Sequence, residues 1–306
     1  MRTYQPSRSD EAAKFKRIRF IIILCGSLAI LAVALATIWI AWSARNEELA
    51  RADAAMARVQ AAASFHTPAV PDRGEFPGEP SQEPSPEPEP SPEGPVEREL
   101  YTDDPLYREL DWEALHAVNP DIGFWLYIPG TAIDYPVMVE DYSMDGSEYF
   151  YLRHDVYGER VSSGSLFTVS APGGAPDAHM TIFGHNMGGG REIMFGTLSR
   201  YKDADFRVEN PYAYFYYPDR TERWVVWSAG NVKGDDLVYS MPFEYGSQDY
   251  ADLITHMGGA SLYDSGVPAP GNMEATVTLS TCDRGYGGNS GRFTVHLAPD
   301  AARHLE

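Results

Sequence analysis

Short apolar runs separated by Gly and Pro clusters dominate the chain from about residue 100 to its end. Aromatic and β-branched residues are concentrated in these runs, which is typical of β-strands in a folded domain. Eight short strands indicate a closed barrel or a sandwich. The predicted strands are 122–128, 133–139, 164–169, 179–184, 212–217, 222–232, 275–281 and 291–297.

Two segments of the same region have apolar residues at helical spacing. Residues 105–117 read PLYRELDWEALHA and lie ahead of the first predicted strand. Residues 245–261 read YGSQDYADLITHMGGAS and precede the strand 275–281. The pattern therefore predicts a mainly β domain over residues 100–306, with one helix at its start and another before the seventh strand.

The N-terminal part contains an uncharged run of 23 residues, 20–42. As a helix it spans about 34 Å, which crosses the hydrocarbon core of a bilayer. Lys and Arg cluster just before it, so the positive-inside rule places a tail of residues 1–19 in the cytoplasm and the rest of the chain outside. The run is longer than the apolar part of a cleaved signal peptide, which favours a permanent transmembrane anchor.

Two further segments separate this anchor from the β-rich domain. Residues 43–66 are rich in Ala, Glu and Arg, which favours a helical stalk. Residues 67–99 contain ten prolines and eight glutamates and little that could be buried. We expect a disordered, extended linker there, with a reach of up to about 100 Å.

Charge and cysteine content exclude several classes of function. The chain has 24 Lys and Arg against 44 Asp and Glu, a net charge of -20, which opposes binding to nucleic acid. Its two cysteines, Cys25 and Cys282, exclude a disulfide scaffold and four-cysteine zinc sites. No glycine-rich phosphate-binding motif is present. We therefore expect no metal and no cofactor.

Cys282 is the only thiol in the part of the chain expected outside the membrane. It ends a β-branched run, ATVTLSTC, and is followed by the glycine-rich DRGYGG, so the side chain is expected at the rim of a sheet. A free cysteine in a core is often only a small buried residue. A nucleophile fits this context equally well, and it would need a base and a positive charge nearby.

Candidates for both partners are present. His185 ends the run HMTIFGH at another glycine-rich break, whereas His179 and His296 lie within strands and are better explained as structural histidines. Arg292 follows Cys282 by ten residues across a predicted hairpin loop, which places both at the same end of the sheet. A guanidinium there can favour a thiolate and bind an oxyanion.

Together these residues resemble the sortases, the cysteine transpeptidases of Gram-positive cell surfaces, over residues 119–297. TLSTC at 278–282 resembles the family's cysteine motif, Arg292 its arginine on the next strand, and GHNM at 184–187 its histidine segment. Further segments resemble class B sortases in particular. They are NPDIGFWLYIPGTAIDYPVM at 119–138, YFYLRHD at 149–155, GSLF at 164–167 and MFGTL at 194–198.

The resemblance implies a sortase-type eight-stranded barrel. Cys282 would attack the Thr carbonyl of an NPxTx-like sorting signal, His185 would protonate the leaving amine, and Arg292 would bind substrate and the oxyanion. Residues at positions that line the peptide groove in class B members are Ser280, Thr281, Phe183, Asp283 and Leu152.

The implied partners are precursor proteins held in the membrane and an acceptor amine of a peptidoglycan stem peptide or a pilin. The lipid bilayer is a third partner, through residues 20–42, in the membrane of a Gram-positive cell. Two alternatives remain open at this point: a secreted cysteine peptidase that hydrolyses peptides with the same residues, and a non-enzymatic surface adhesin in which Cys282 is incidental.

Overall fold

The computed structural model describes residues 8–63, 104–141, 149–171, 177–188, 190–283, 285–286 and 288–305. The chain forms two compact units that divide between Arg51 and Ala52. The predicted linker 67–99 lies outside the described residues, and its role as a spacer stays a prediction.

The first unit is the greater part of helix α1, Arg8–Ala62. Every side chain from Phe20 to Trp42 is exposed, although the segment is apolar. In the described part of the chain this is the one helix whose length and hydropathy suffice to cross a membrane. The helix continues through most of the predicted stalk, 43–66.

The second unit contains a closed β-barrel, one of the two architectures that the short apolar runs indicated and the one that the resemblance to sortases implied. All eight predicted strands are present among the described residues. They are β1 Ile122–Tyr127, β2 Asp134–Glu140, β3 Leu166–Val169, β4 His179–Phe183, β5 Tyr212–Tyr216, β6 Thr221–Lys233, β7 Thr276–Cys282 and β8 Gly291–Leu305. Around the barrel the order is β1-β2-β3-β4-β7-β8-β6-β5, and β5 closes on β1. Two of the neighbouring pairs, β2·β3 and β4·β7, are parallel, and the others are antiparallel.

Short helices connect the strands of the barrel and precede the first of them. The α-helices are α2 Trp112–Val118, α3 Ala204–Glu209 and α4 Gln248–Gly259, and the last lies before β7 as predicted. The 3₁₀ helices are η1 Pro105–Tyr107, η2 Phe150–Leu152, η3 Leu198–Lys202, η4 Leu237–Tyr239 and η5 Gly288–Ser290.

The single helix predicted over 105–117 is instead two separate helices, η1 and α2. Between them Arg108 turns toward the barrel, and its two terminal nitrogens donate to both carboxylate oxygens of Asp134 at 3.0 Å. Asp111 then starts α2 by accepting a hydrogen bond from the amide of Ala114 at 2.9 Å. These polar contacts interrupt the helix despite its apolar spacing.

The last turns of α1 belong to the barrel unit. Val59 and Ala63 are completely buried in a cluster outside the barrel that includes Trp125 and Met138. The amide of Asp111 also donates to the carbonyl of Ala63 at 2.9 Å. Residues 52–63 are therefore packed on the barrel as one of its structural elements.

Alternation along the strands separates two faces. Val277 and Leu279 of β7 point into the barrel core, so Thr276, Thr278, Ser280 and Cys282 lie on the outer face. On neighbouring strands, the outer face carries two histidines that are entirely buried. His179 Nδ1 lies 2.9 Å from Thr276 Oγ1, and His296 Nδ1 lies 2.8 Å from Thr278 Oγ1.

Both histidines are structural, as predicted from their positions within strands. Burial lowers the pKa of His179 to about 4. Burial, together with the positive charge that His179 and His256 would carry, lowers the pKa of His296 to about 3. Both rings are therefore neutral at physiological pH.

Acidification from pH 7 toward pH 4 is expected to destabilise the barrel. The unfolded chain binds protons at these histidines below about pH 6.5, while the folded chain does not until about pH 4 and pH 3. The stabilisation that these two neutral histidines provide is thus complete above pH 6.5. It is lost as the pH falls, at about 1.4 kcal/mol of unfolding free energy per pH unit for each histidine.

Urea unfolding of the full chain in detergent at several pH values measures the slope of unfolding free energy against pH. His296→Gln should reduce the slope by about one proton relative to the parent protein; a slope equal to that of the parent contradicts this assignment.

Candidate active site

Strand β7 carries Cys282 at its C-terminal end. It lies between β4, which runs parallel to it, and β8, which runs antiparallel. Residues Thr276 to Thr281 are buried, and Cys282 is the first half-exposed residue of the strand. The thiol therefore lies at the rim of the barrel, at the end of a buried strand.

His185 follows the end of the neighbouring strand β4. Phe183 pairs with Ser280 of β7, and the amide of Gly184 donates to the Ser280 carbonyl at 3.1 Å. His185 follows Phe183 by two residues along the chain, as Cys282 follows Ser280. The two side chains thus come from the ends of adjacent strands, which lie about 4.8 Å apart in a sheet.

A close approach at Gly184 explains the glycine before the histidine. A β-carbon at this position would lie 2.5 Å from the Leu166 side chain and 2.6 Å from the ring of Phe195. The amide of Phe195 also donates to the His185 carbonyl at 3.1 Å. A side chain at Gly184 would therefore require Leu166, Phe195 or the backbone that presents His185 to shift.

The His185 ring is held by η2. Its Nε2 lies 2.9 Å from the carbonyl oxygen of Leu152. Because a carbonyl only accepts hydrogen bonds, Nε2 carries a hydrogen, and Nδ1 is the nitrogen that can exchange a proton without breaking this contact.

Arg292 lies on the other side of Cys282. The two residues are direct partners in the antiparallel β7·β8 pair, which places their Cβ atoms roughly 4.5–5.5 Å apart on one face. One terminal nitrogen of the guanidinium donates to the carbonyls of Asn289 and Gly291, both at 3.0 Å. The predicted juxtaposition of Cys282 and Arg292 across a hairpin is present.

Gly291 is required by the close packing of the loop between these strands. A β-carbon there would lie 1.3 Å from the Tyr286 carbonyl oxygen and 2.3 Å from that of Asp283. The amide of Asp283 donates to the Gly291 carbonyl at 3.0 Å. The loop thus fixes the separation between Cys282 and Arg292.

Tyr239 of η4 lies beside the same three strand ends and was not anticipated from the sequence. Its hydroxyl shares a hydrogen bond of 2.8 Å with Ser280 Oγ, and its ring stacks on Phe183 with centroids 6.0 Å apart. Burial raises the pKa of Tyr239 to about 12. The hydrogen bond to Ser280 and the charge of Arg292 act in the opposite direction, but burial outweighs them. The phenol is therefore neutral and can donate. Nothing local in the sequence DDLVYS marks it, because its partners are distant along the chain.

The residues predicted to line a peptide groove are placed in different environments. Phe183 is half-buried and packs between Phe167 and Tyr239. Ser280 and Thr281 are buried, and Thr281 Oγ1 donates to the Gly184 carbonyl at 2.7 Å. Leu152 offers its carbonyl to His185. Their part in substrate binding stays a prediction.

Asp283 is bound by other side chains of the barrel. Its Oδ2 accepts from Lys202 Nζ at 2.5 Å and from Asn231 Nδ2 at 2.8 Å. Burial acts to raise the pKa of Asp283, but the hydrogen bond and charge of Lys202 outweigh it and lower the pKa. Asp283 thus anchors the turn that follows Cys282. Within the described ranges, no group of three His, Cys, Asp or Glu side chains is arranged to hold a metal ion.

Comparison with known proteins identifies relatives of this chain. No family model matches the chain. Sortase B of Listeria monocytogenes is 30% identical over 205 residues, which cover 65% of this chain and 80% of that protein. Sortase B of Staphylococcus aureus is 28% identical over 185 residues, 60% of this chain and 72% of the relative.

Solved structures of sortase B proteins also match this chain. Sortase B of Clostridium perfringens aligns with a TM-score of 0.54 at 25% identity and covers 62% of this chain and 99% of its own. The crystal structure of Staphylococcus aureus sortase B aligns with a TM-score of 0.53 at 25% identity, over 61% of this chain and 85% of its own.

The closed barrel and these likenesses define the class of the molecule, a β-barrel cysteine transpeptidase. The chain belongs to the sortase family, class B.

Proposed function

We propose that this transpeptidase cleaves a C-terminal sorting signal of the NPxTx type after Thr and transfers the precursor protein to an amine. Cys282 would be the nucleophile, His185 the general acid and base, and Arg292 the ligand of the oxyanion. The observation that supports the proposal is the strand pairing: Cys282 pairs with Arg292 across β7 and β8, and β4, which leads to His185, pairs with β7 up to Phe183 and Ser280.

In the first half of the reaction, the Cys282 sulfur attacks the Thr carbonyl carbon. Arg292, held by the hairpin carbonyls, supplies fixed donors for the negative charge that develops on the oxygen. The C–N bond then breaks, and the leaving amine takes a proton from His185 Nδ1. The product of this half is a thioester between Cys282 and the precursor.

In the second half, the acceptor amine attacks the thioester carbonyl and gives a proton to His185. The C–S bond breaks, and Cys282 is released as the thiolate. The hydrogen bond from His185 Nε2 to Leu152 persists through both halves, because only Nδ1 exchanges a proton. The acceptor in this proposal is an amine of a peptidoglycan stem peptide or of a pilin.

The sorting signal would bind on the outer face of β4 and β7, between η2 and η4. The Phe183 ring and the neutral Tyr239 hydroxyl offer an apolar surface and a hydrogen-bond donor there. The uncharged segment of α1 would anchor the protein in the membrane with residues 1–19 in the cytoplasm. Tethering enzyme and precursor to one membrane raises their effective concentration without new contacts.

Product analysis tests the function directly. The full chain in detergent, mixed with a set of fluorogenic sorting-signal peptides and several amines, is expected to give an amide product with the added amine. Release of the acid alone, even at saturating amine, would instead identify a peptide hydrolase. No cleavage of any peptide would contradict the proposed substrate class.

Thiol labelling provides a second test that requires no substrate. An iodoacetamide probe at neutral pH should modify Cys282, and labelling should fall at least about fivefold in His185→Ala if the imidazole supports the thiolate. His116→Ala, which alters a histidine bound to the Ile122 carbonyl and not in contact with η2, is the matched control. Equal labelling of all three proteins would contradict the pairing of Cys282 with His185.

A further inference from the structure

The position of the His185 ring depends on η2. Leu152, the last residue of this 3₁₀ helix, provides the carbonyl that accepts from His185 Nε2. A shift of η2 therefore moves the acceptor that sets the ring's orientation and its tautomer. What holds η2 is accordingly relevant to the proposed reaction.

The N-terminus of η2 is capped by a residue from another element. Its own N-cap residue, Tyr149, makes no side-chain capping bond. Glu140, the last residue of β2, does so instead: one carboxylate oxygen accepts from the amide of Phe150 at 3.0 Å and the other from the amide of Tyr151. The first two amides of the helix, which have no partner within it, are thereby satisfied.

Glu140 is itself fixed in the barrel. It pairs with Val169 of β3, and its carbonyl accepts from the amide of Ser170 at 2.8 Å. A continuous set of contacts thus runs from the β2·β3 pair through the Glu140 carboxylate and η2 to the Leu152 carbonyl and His185.

Tyr151 provides a second attachment for η2. Its hydroxyl donates to Asp121 Oδ2 at 2.7 Å and accepts from Asn119 Nδ2 at 2.8 Å. This attachment does not involve Glu140. Removal of the Glu140 carboxylate therefore leaves η2 attached at its middle residue and frees only its N-terminal amides.

We propose that Glu140 is a positioning residue for His185, acting through η2. The carboxylate binds the N-terminal amides of the helix, and the helix presents the Leu152 carbonyl that orients the imidazole. The catalytic consequence rests on the proposed role of His185, whereas the effect on the ring itself does not. The titratable groups around the carboxylate are Asp121, whose charge opposes its ionisation, and His154 and Tyr151.

The experiment compares Glu140→Ala, Glu140→Gln and Ser170→Ala in the full chain in detergent. Gln retains one acceptor oxygen, and Ser170→Ala is the matched control because the Ser170 hydroxyl contacts the Glu140 carbonyl and Asp141 but not η2. Histidine-labelled protein is examined by NMR, with the His185 signals assigned by their loss in His185→Ala.

Glu140→Ala should shift the His185 ring signals and speed hydrogen exchange at Nε2 about tenfold, with Gln intermediate and Ser170→Ala like the parent. Turnover of the sorting-signal peptide should fall about tenfold in kcat, because a misplaced acid loses much of its contribution. If Glu140→Ala does not fold, Glu140→Gln is decisive.

Unchanged His185 signals in a folded Glu140 variant would overturn the proposal, whatever happens to turnover. Shifted signals in Ser170→Ala as well would also overturn it, because the effect would then reflect general loosening of the β2·β3 edge. If the parent protein transfers no peptide to any amine, the proposed function fails, but the NMR comparison still decides the role of Glu140.

Discussion

Cys282→Ala is expected to eliminate formation of the thioester and to lower the turnover of sorting-signal peptides by at least about 10⁴-fold. The reason is positional as well as chemical. β7 is buried up to Thr281 and presents Cys282 at its half-exposed end, so no neighbouring residue of the strand can replace the nucleophile. Mass spectrometry of the chain after incubation with a peptide substrate measures the acyl adduct directly.

The chain offers a matched control for this variant. Cys25, the other cysteine, lies in the exposed apolar segment of α1. Cys25→Ala should retain both the adduct and the turnover within about twofold. An acyl adduct on the folded Cys282→Ala chain would contradict the assignment of the nucleophile.

Arg292→Lys is expected to lower kcat about 10²-fold or more, with a smaller change in KM. One terminal nitrogen of Arg292 is already engaged by the carbonyls of Asn289 and Gly291. A lysine ammonium that took over these contacts would have no rigid second arm to direct at an oxyanion. Steady-state kinetics with a fluorogenic peptide at saturating amine measures the split between kcat and KM.

Arg200→Lys is the control for loss of a guanidinium that is bound to a backbone carbonyl. Arg200 Nη1 donates to the Gly130 carbonyl at 2.7 Å and its other terminal nitrogen pairs with Glu192, on exposed surface. This variant should behave like the parent enzyme. Near-normal kcat in Arg292→Lys would remove Arg292 from the oxyanion role.

The strands could be predicted from the sequence because alternation and glycine breaks are local signals. Their extents were less predictable. β8 was predicted over residues 291–297, yet it continues to Leu305, although Pro299 lacks an amide hydrogen. Pairing with β6 continues through Pro299, which lies opposite Trp224 beside a register irregularity in β6. Tertiary pairing here overrides a local stop signal.

The candidate site likewise has one part that the sequence predicts and one part that depends on distant strand pairing. The pairing of Cys282 with Arg292 follows from a short hairpin, which spacing alone can indicate. The position of His185 depends on the parallel pairing of β4 with β7, between strands about 97 residues apart. The contact of Tyr239 with Ser280, which lies 41 residues further along the chain, likewise leaves no pattern in the sequence near either partner.

The carbonyl of Ala63 is bound by Asp111, and the described chain resumes at Asp104, just ahead of η1. Ala63 and Leu106, which lie on either side of the 40 residues from 64 to 103, therefore belong to one apolar cluster of the barrel unit. For a loop between two fixed points, the entropy of closure depends only weakly on length, and doubling the length costs about 0.6 kcal/mol. Insertions or deletions of Pro-Glu units would leave both attachment points intact, so the folding of the barrel does not determine how long this segment is.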